Sequence, residues 1–589
     1  MGCDAGLFRE FRAGCEIVPH TYFLMRNNLF INIPFSNINT NTARSAVTPM
    51  TAETLNTISS ERVAEADAQV AQTGVLEMFA EWRNEDNWTS SRPALVSDRA
   101  ILIGLILLSA DNSPLQVRAI SDLFQYRLSS ESRELLDLPV ANITDSRLAQ
   151  AQWRSRTGAA FKRMLALMDP FPQVPGRALT ATQIAEILDA HDTARQKKMK
   201  TRLDEFTAAF LLMTFRQQPE RLQHATRRID IAMDQSFIAS PHSRGVYRKS
   251  LSKKVADDAI LEPSQRPARP VDVFAGWYRG YVNDSAAMSG GQSTGCLIAS
   301  SPNGVALSWG WVANTSVRVD SEHPGNGRFP MLVISATVSM PNEGVSEEAV
   351  SLMRSALGTG LPAGVVDLDS AYSAGPSTAR FFRPTFDLGF TPSGGFQPSR
   401  LGVQGGQRGA EFIEGSIYCP CMPQHLKDAS KDFRDGTIDE ATLRARIQER
   451  EGYQLRRKSK PNKSGGTRMI CPVASGHTAA TAKALAEQAP GHQAFETVVG
   501  ELDTGTVTVS QENIMRYGRA FPYKSAEWEA FTGHARNSAE STAGGSHRTE
   551  FPQRIKGLAA AQLFTTIRLT RDNLTAITRY LKNEKARQS

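Results

Sequence analysis

The period of the hydrophobic pattern changes near residue 226, and that change constrains the fold more than any single motif. From about 61 to 225 apolar residues recur at helical spacing: Val117, Ile120 and Phe124 follow the cap-like pair Ser113-Pro114. A second helix is expected from near Thr182 with Ile184, Ile187 and Leu188 inward, and a third carries Leu203, Phe206, Phe210 and Met213 on one face. After 226 strand-like runs take over, at 228–238, 295–300, 305–313, 331–339, 364–369 and 411–418. The helical stretch Val345 to Leu357 separates the fourth run from the fifth, which suits a mixed sheet with a crossover connection. Helix returns at 525–545 and again where Leu563, Ile567, Leu574, Ile577 and Leu581 form one stripe. The expected fold is therefore α/β, a mixed sheet flanked by helices and preceded by an all-α region.

In this division 1–60 is an N-terminal segment without assigned role, 61–225 is helical, and 226–589 holds the sheet. The Gly-, Pro- and charge-rich stretches 375–410 and 422–468 read as loops, parts of a loop-rich insertion over 375–510. The apolar run Ile101–Leu108 is far shorter than the roughly 20 residues of a membrane span, so it is expected as a buried helix. No secretory layout opens the chain, and six cysteines without a disulfide-framework spacing suit a reducing compartment, so a cytoplasmic location is expected. The net charge of +7 favours a polyanionic partner. No Gly-x₄-Gly-Lys-Ser/Thr motif appears, which argues against a nucleotide cofactor.

Acidic residues supply the candidate chemistry. In Ile229–Asp234 the residues Ile229, Ile231 and Met233 share one strand face, leaving Asp230, Ala232 and Asp234 on the other. Asp367 and Asp369 likewise share a face of the run Gly364–Tyr372. Periodicity does not choose within each pair. Asp234 and Asp369 are preferred because ligands of open α/β sheets collect beyond the carboxyl ends of strands. Asp230 and Asp367 then support the site or the fold. Glu540 lies in the helix-like stretch Arg536–Ser541. Two strand-end aspartates and a helical glutamate can hold two Mg²⁺ (or Mn²⁺) ions over a phosphodiester, stabilising the attacking and the leaving oxygen. Taken singly, each is more often an ordinary surface acid; the ordered set carries the reading.

Four features of that set resemble the bacterial insertion-sequence transposases of the DDE type. They are Asp234-Gln-Ser-Phe-Ile after a strand, and Val365-Val-Asp-Leu-Asp369-Ser-Ala-Tyr372. The third is Arg536-Asn537-x-x-Glu540 preceded by Glu527-Trp-Glu-Ala-Phe531, and the fourth is a closing helix with Asn573-Leu574. The resemblance spans about 85–580. Two places depart from the pattern, where many relatives have a tyrosine before the arginine and a lysine after the glutamate: Gly533 and His547 stand there, with Arg548 adjacent. The resemblance implies a ribonuclease-H-like catalytic domain with an insertion before the glutamate, and a DNA-end-binding role for 61–225. It further implies double-stranded DNA, as element ends and as target, for substrate. Asp234, Asp369 and Glu540 become the metal ligands, and a homo-oligomer brings two ends together in the nucleoid. Two rivals keep part of this: a metal-dependent endonuclease without strand transfer, and a catalytically inactive DNA-binding protein of the same descent.

Arg456-Arg457-Lys458-Ser-Lys460-Pro-Asn-Lys463-Ser-Gly-Gly-Thr-Arg468 has six basic residues and no acid, and reads as a flexible loop that grips DNA backbone. Arg536 and Arg548 join it as candidate DNA contacts. The run Arg195–Arg202, with five positive charges, is expected as a solvated face, with phosphate contact as the alternative. Cys419, Cys421 and Cys471, with His425 and His477 nearby, suggest a structural Zn²⁺ site. The Cys-x-Cys spacing departs from the usual one, so buried thiols are preferred.

Overall fold

A computed structural model describes residues 57–88, 94–139, 147–172, 179–240, 250–267, 272–281, 305–368, 372, 378–407, 409–472, 506–547 and 555–588. The expected strand at 295–300 lies outside them, as do Asp369, Arg548, His477 and all of 1–56.

Between Ser60 and Gln223 the described residues form helices and no β-strand. Side-chain caps fix their starts, as when Ser97 accepts from the Ala100 N–H at 3.1 Å. The run Ile101–Leu108 is buried on every side within the Asp98–Ala110 helix. The expected helices appear as Val117–Asp122, Ala181–Asp189 and Thr193–Arg216. Four of the five cations of the Arg195–Arg202 run have partners within the protein, although only Arg202 is buried and Lys198 is exposed. Arg195 donates to the Asp169 carbonyl, Lys198 and Arg202 pair with Glu85 and Asp86, and Lys200 pairs with Asp204 and Glu348. Among the described residues no helix is long and apolar enough to cross a membrane.

The chain then builds a mixed sheet from β1 (Ile229–Ala239), β2 (Gly276–Tyr281), β3 (Val305–Val319), β4 (Val333–Ser339), β5 (Ala363–Leu368) and β6 (Thr391–Pro392). Neighbours run β2-β3-β1-β5-β6, and β4 also pairs with β3. β1 is antiparallel to β3 and parallel to β5, and β5 is parallel to β6. The Val345–Ala356 helix makes the crossover from β4 to β5. It packs Ala349, Leu352 and Met353 against Ile229, Ile231 and Met233, the odd face of β1. The even face is covered by the Ala526–His547 helix, whose Phe531, Ala535 and Ala539 cluster with Ala232, Val319 and Val365. The sheet is therefore flanked on both faces.

β3 runs six residues further than the sequence pattern indicated because Asn314, Thr315 and Ser316 interrupt its apolar alternation. Their polar groups are satisfied inside: Asn314 donates to Ser339 at 3.0 Å, and the Ser316 and Ser335 hydroxyls lie 2.6 Å apart. The outer edge of β4 is sealed by amide side chains of the closing helix, Leu558–Gln588. Asn573 accepts from the Val333 N–H at 2.9 Å and donates to its carbonyl at 2.8 Å, and Gln562 accepts from the Val338 N–H at 2.9 Å. Such contacts take the place of a missing ladder partner.

The stretches read as loops between 375 and 510 carry regular structure. β7 (Val403–Gln407), β8 (Ala410–Ile413) and β9 (Ser416–Tyr418) form one small sheet. β10 (Arg456–Arg457), β11 (Thr467–Ile470) and β12 (Thr506–Val509) form another. Both contribute to a core with Phe412, Ile413, Tyr418, Leu426, Leu455 and Val509. Strands of two to five residues, some glycine-rich, are too short to show an alternating pattern. The run 411–418, expected as one strand, folds back at Glu414-Gly415, where both residues have positive φ (45° and 93°). Glu414 tolerates that conformation because its buried carboxylate is held by Arg450, Ser430 and the Gly402 N–H at 2.6–2.7 Å.

Candidate carboxylate site and basic hairpin

Asp234 does not close its strand. β1 continues to Ala239 because β3 keeps pairing with it, Asp234 standing opposite Thr315. What ends near Asp234 is the parallel half of the sheet: Ala232 is level with Asp367, Met233 is level with Leu368, and β5 stops there. Asp369 is the next residue of the chain. Asp234 is half-buried, and its Oδ1 accepts from the Gln235 N–H at 2.8 Å.

The chain beyond β5 returns to the same point. Tyr372 is buried, and its hydroxyl reaches the Asp234 carbonyl at 3.3 Å and Asn314 Oδ1 at 3.1 Å, sharing one proton between two acceptors. Gln235 Nε2 donates to the same Asn314 oxygen at 2.9 Å. Gly394, after β6, lies against the last residue of β5; a Cβ on it would stand 2.3 Å from the Leu368 carbonyl oxygen. Its own carbonyl accepts from the Trp528 indole at 3.1 Å.

The other aspartates of each pair serve the fold. Asp230 is buried, and Oδ1 accepts from the Val365 N–H at 2.7 Å while Oδ2 accepts from the Ser321 N–H and hydroxyl at 3.0 and 2.6 Å. Gly364 leaves the space for it, since a Cβ there would stand 2.0 Å from Asp230 Oδ1. Asp367 is buried with Thr532 Oγ1 3.4 Å from its Oδ1.

Glu540 is exposed on the Ala526–His547 helix, one residue beyond Ala539. Ala232 and Asp234 alternate onto one face of β1, so this helix lies on the Asp234 side of the sheet. Alanines at 535 and 539 let it approach closely. Arg536 and Asn537 are exposed on the preceding turn. Among the described residues no group of three or more His, Cys, Asp or Glu side chains is arranged to hold a metal ion. Asp369 lies outside those residues, so this finding does not extend to the trio of Asp234, Asp369 and Glu540. A cleft of about 480 Å³ lies elsewhere, lined by Ile106, Leu107, Ile567, Arg571 and Leu574, and involves neither Asp234 nor Glu540.

The six-cation segment is an ordered hairpin rather than a flexible loop. β10 and β11 pair, Lys458 N–H donates to the Arg468 carbonyl at 2.8 Å, and Asn462 Oδ1 accepts from Ser464 and Gly466 N–H groups at 3.0 and 2.9 Å. An Asx-type turn of this kind fixes a tip that composition alone reads as mobile. Arg456, Arg457, Lys458, Lys460, Lys463 and Arg468 are all exposed. Arg457 donates to the Ser459 carbonyl at 3.0 Å and Arg468 to Thr506 Oγ1 at 3.1 Å, contacts that leave the charges uncompensated.

The segment Arg519–Tyr523 joins the insertion to the sheet. Arg519 N–H donates to Gly415 at 2.8 Å, Ala520 N–H to Pro392 of β6 at 2.9 Å, and Tyr523 N–H to Glu414 at 3.1 Å. Tyr278 of β2 stacks on Phe237 of β1 at 5.0 Å between ring centres.

Comparison with family models, curated proteins and solved structures finds no match to this chain.

Proposed function

We propose that the chain is a DNA transposase of the insertion-sequence type, cleaving phosphodiesters at the ends of its own element and joining the 3′ ends to target DNA. The observation that carries this reading is the end of the β1–β5 pairing. The parallel pairing stops at Met233 and Leu368, and the next residue of each chain segment is one of the two aspartates singled out from sequence. Support also comes from the helix bearing Glu540 on the Asp234 side of the sheet. Antiparallel β4, β3 and β1 continuing into parallel β5 and β6 suits a ribonuclease-H-like domain.

Asp234, Asp369 and Glu540 fit Mg²⁺ in donor chemistry, since hard divalent cations take carboxylate oxygens. Bound there, the metal would activate water and stabilise charge on the transferred phosphate. The chain's own part is to present the acids. β1 carries Asp234 beside the end of β5, Asp369 follows β5 in sequence, and the Tyr372 hydroxyl bonds back to the Asp234 carbonyl. Arg536, one helical turn before Glu540, and the exposed hairpin cations are the positive charges that a polyanion would require.

The test is incubation of the full chain with Mg²⁺ and a labelled linear fragment carrying the DNA that flanks its own gene. Nicks at an inverted repeat, followed by joined products and absent with EDTA or in Asp234→Asn and Asp369→Asn, are expected. Binding without any nick, unchanged by those substitutions, would overturn the proposal. Nicking with no joined product would reduce it to an endonuclease.

A further inference from the structure

All three cysteines among the described residues meet at one place in the insertion. Cys419 follows β9, Cys421 lies two residues on, and Cys471 follows β11. The Cys419 and Cys421 sulfurs are 2.8 Å apart, and the Cys471 thiol hydrogen-bonds Cys419 as well. Cys419 and Cys471 are buried; Cys421 is half-exposed. The tight turn at Pro420 is held by Met422 N–H on the Cys419 carbonyl at 3.1 Å and by Lys427 Nζ on the Pro420 carbonyl at 2.8 Å. None of the three is in a disulfide, and they do not form a metal-ligating group.

We infer that Cys419 and Cys421 are a peroxide-sensitive dithiol, with Cys421 the point of entry and Cys419 the residue that closes the disulfide. Cys421 is the thiol that solvent reaches. Its thiolate attacks a hydroperoxide: an S–O bond forms, the O–O bond breaks, and the far oxygen leaves as water or alcohol with the proton. Cys419 then attacks the Cys421 sulfur. The S–S bond forms, the S–O bond breaks, and hydroxide takes the Cys419 proton as water. Two thiols and one hydroperoxide thus give one disulfide, one alcohol or water and one further water.

Contact with Cys421 is the main cause that pushes the Cys419 thiol up to about 12, and oxidation of Cys421 removes that contact's thiol. Cys419 is therefore held in reserve until its neighbour has become electrophilic. Cys471, the other neighbour of Cys419, can take the bond over by exchange. That transfer would join the end of β9 to the end of β11, the root of the basic hairpin.

The test is native treatment of the full chain with a few equivalents of hydrogen peroxide, alkylation of remaining thiols, and peptide mapping by mass spectrometry. The peptide spanning 419–421 is expected to escape alkylation and to lose the mass of two hydrogens, reversibly with dithiothreitol. Cys419→Ser is expected to stop at a sulfenic acid on Cys421 that dimedone traps, and Cys421→Ser to leave Cys419 reduced. Mapping of the unsubstituted chain stands even if Cys419→Ser fails to fold. Full alkylation of all three after peroxide, overoxidation of Cys421 without a bond, or one equivalent of zinc on the purified protein each overturn the inference. None of these readouts depends on DNA cleavage.

Discussion

The Tyr372 hydroxyl lies 3.3 Å from the main-chain carbonyl of Asp234, joining the chain beyond β5 to β1, the strand beside it. The same hydroxyl lies 3.1 Å from Asn314 Oδ1, so one side chain tethers the chain beyond β5 to both β1 and β3. Tyr372→Phe keeps the buried ring and removes this contact and the one to Asn314. The expected stability loss is about 1 kcal/mol, the net value of one such hydrogen bond. If the segment positions Asp369, Mg²⁺-dependent turnover falls while DNA affinity stays. Chemical denaturation and a single-turnover assay separate the two effects, and unchanged turnover would make Tyr372 a packing residue only.

Gly394 makes a stricter demand on the same corner. It has φ of +114° and no room for a Cβ beside the Leu368 carbonyl. Gly394→Ala is expected to cost about 1–3 kcal/mol, from the backbone conformation and from displacement of the end of β5. Hydrogen exchange should quicken at β5 and β6 before other strands. Uniform loss of protection across the sheet would show that the corner is not a local unit.

How much of this was legible in the sequence follows from element length. Long, regular patterns gave β1, β5 and the Val345–Ala356 helix nearly to the residue. The choice of Asp234 and Asp369 over Asp230 and Asp367 rested on strand ends. The Asp234 end proved to be the end of the β5 pairing rather than of β1 itself. Short strands stayed hidden, β7, β10, β11 and β12 among them, because two to five residues give no periodicity. The role of Asp230 was hidden too, since its acceptors are filled by Val365 and Ser321, far away in sequence. In the basic hairpin, Asn462 was visible but its turn was not, because the same composition serves a mobile loop.

Glu414 and Arg450 form a buried ion pair at 2.7 Å, both almost without solvent contact. Arg450 also donates to the Leu426 carbonyl at 2.7 Å, so the pair joins the β8–β9 turn to the helices that follow. Glu414→Ala would strand a buried guanidinium at a cost of about 3–5 kcal/mol. The insertion should then become the first region cut in limited proteolysis, while the sheet built on β1 and β3 stays protected. Simultaneous cleavage throughout would mean that the insertion has no separate stability.

The hairpin cations can be tested through salt. With no charge partner among the described residues, Lys458, Lys460 and Lys463 are free to neutralise phosphates. Replacing all three by alanine should weaken DNA binding for any sequence. It should also lower the slope of log affinity against log salt by about 0.9 for each phosphate that is no longer neutralised. Thermal stability should hardly change, because the side chains are exposed. An unaltered slope would remove the hairpin from the DNA interface.

Asp169 gives a pH test independent of DNA. Burial pushes its carboxyl up to about 6, against the partly compensating Phe171 N–H and the nearby Arg195 charge. Because the folded value is raised above the unfolded one, the folded state holds this proton more tightly. Its contribution is therefore most favourable below about pH 4 and is lost as pH rises towards 6 and beyond. Asp169→Asn keeps an oxygen for the Phe171 N–H, which stands 2.9 Å from Asp169 Oδ1, and cannot ionise. The variant should be more stable than the parent at pH 7.5 by about 1–3 kcal/mol, with the difference vanishing near pH 4. Denaturant melts at the two pH values decide it. A variant equally or less stable at pH 7.5 would show that the Asp169 carboxylate is better solvated, or better paired, than its burial implies.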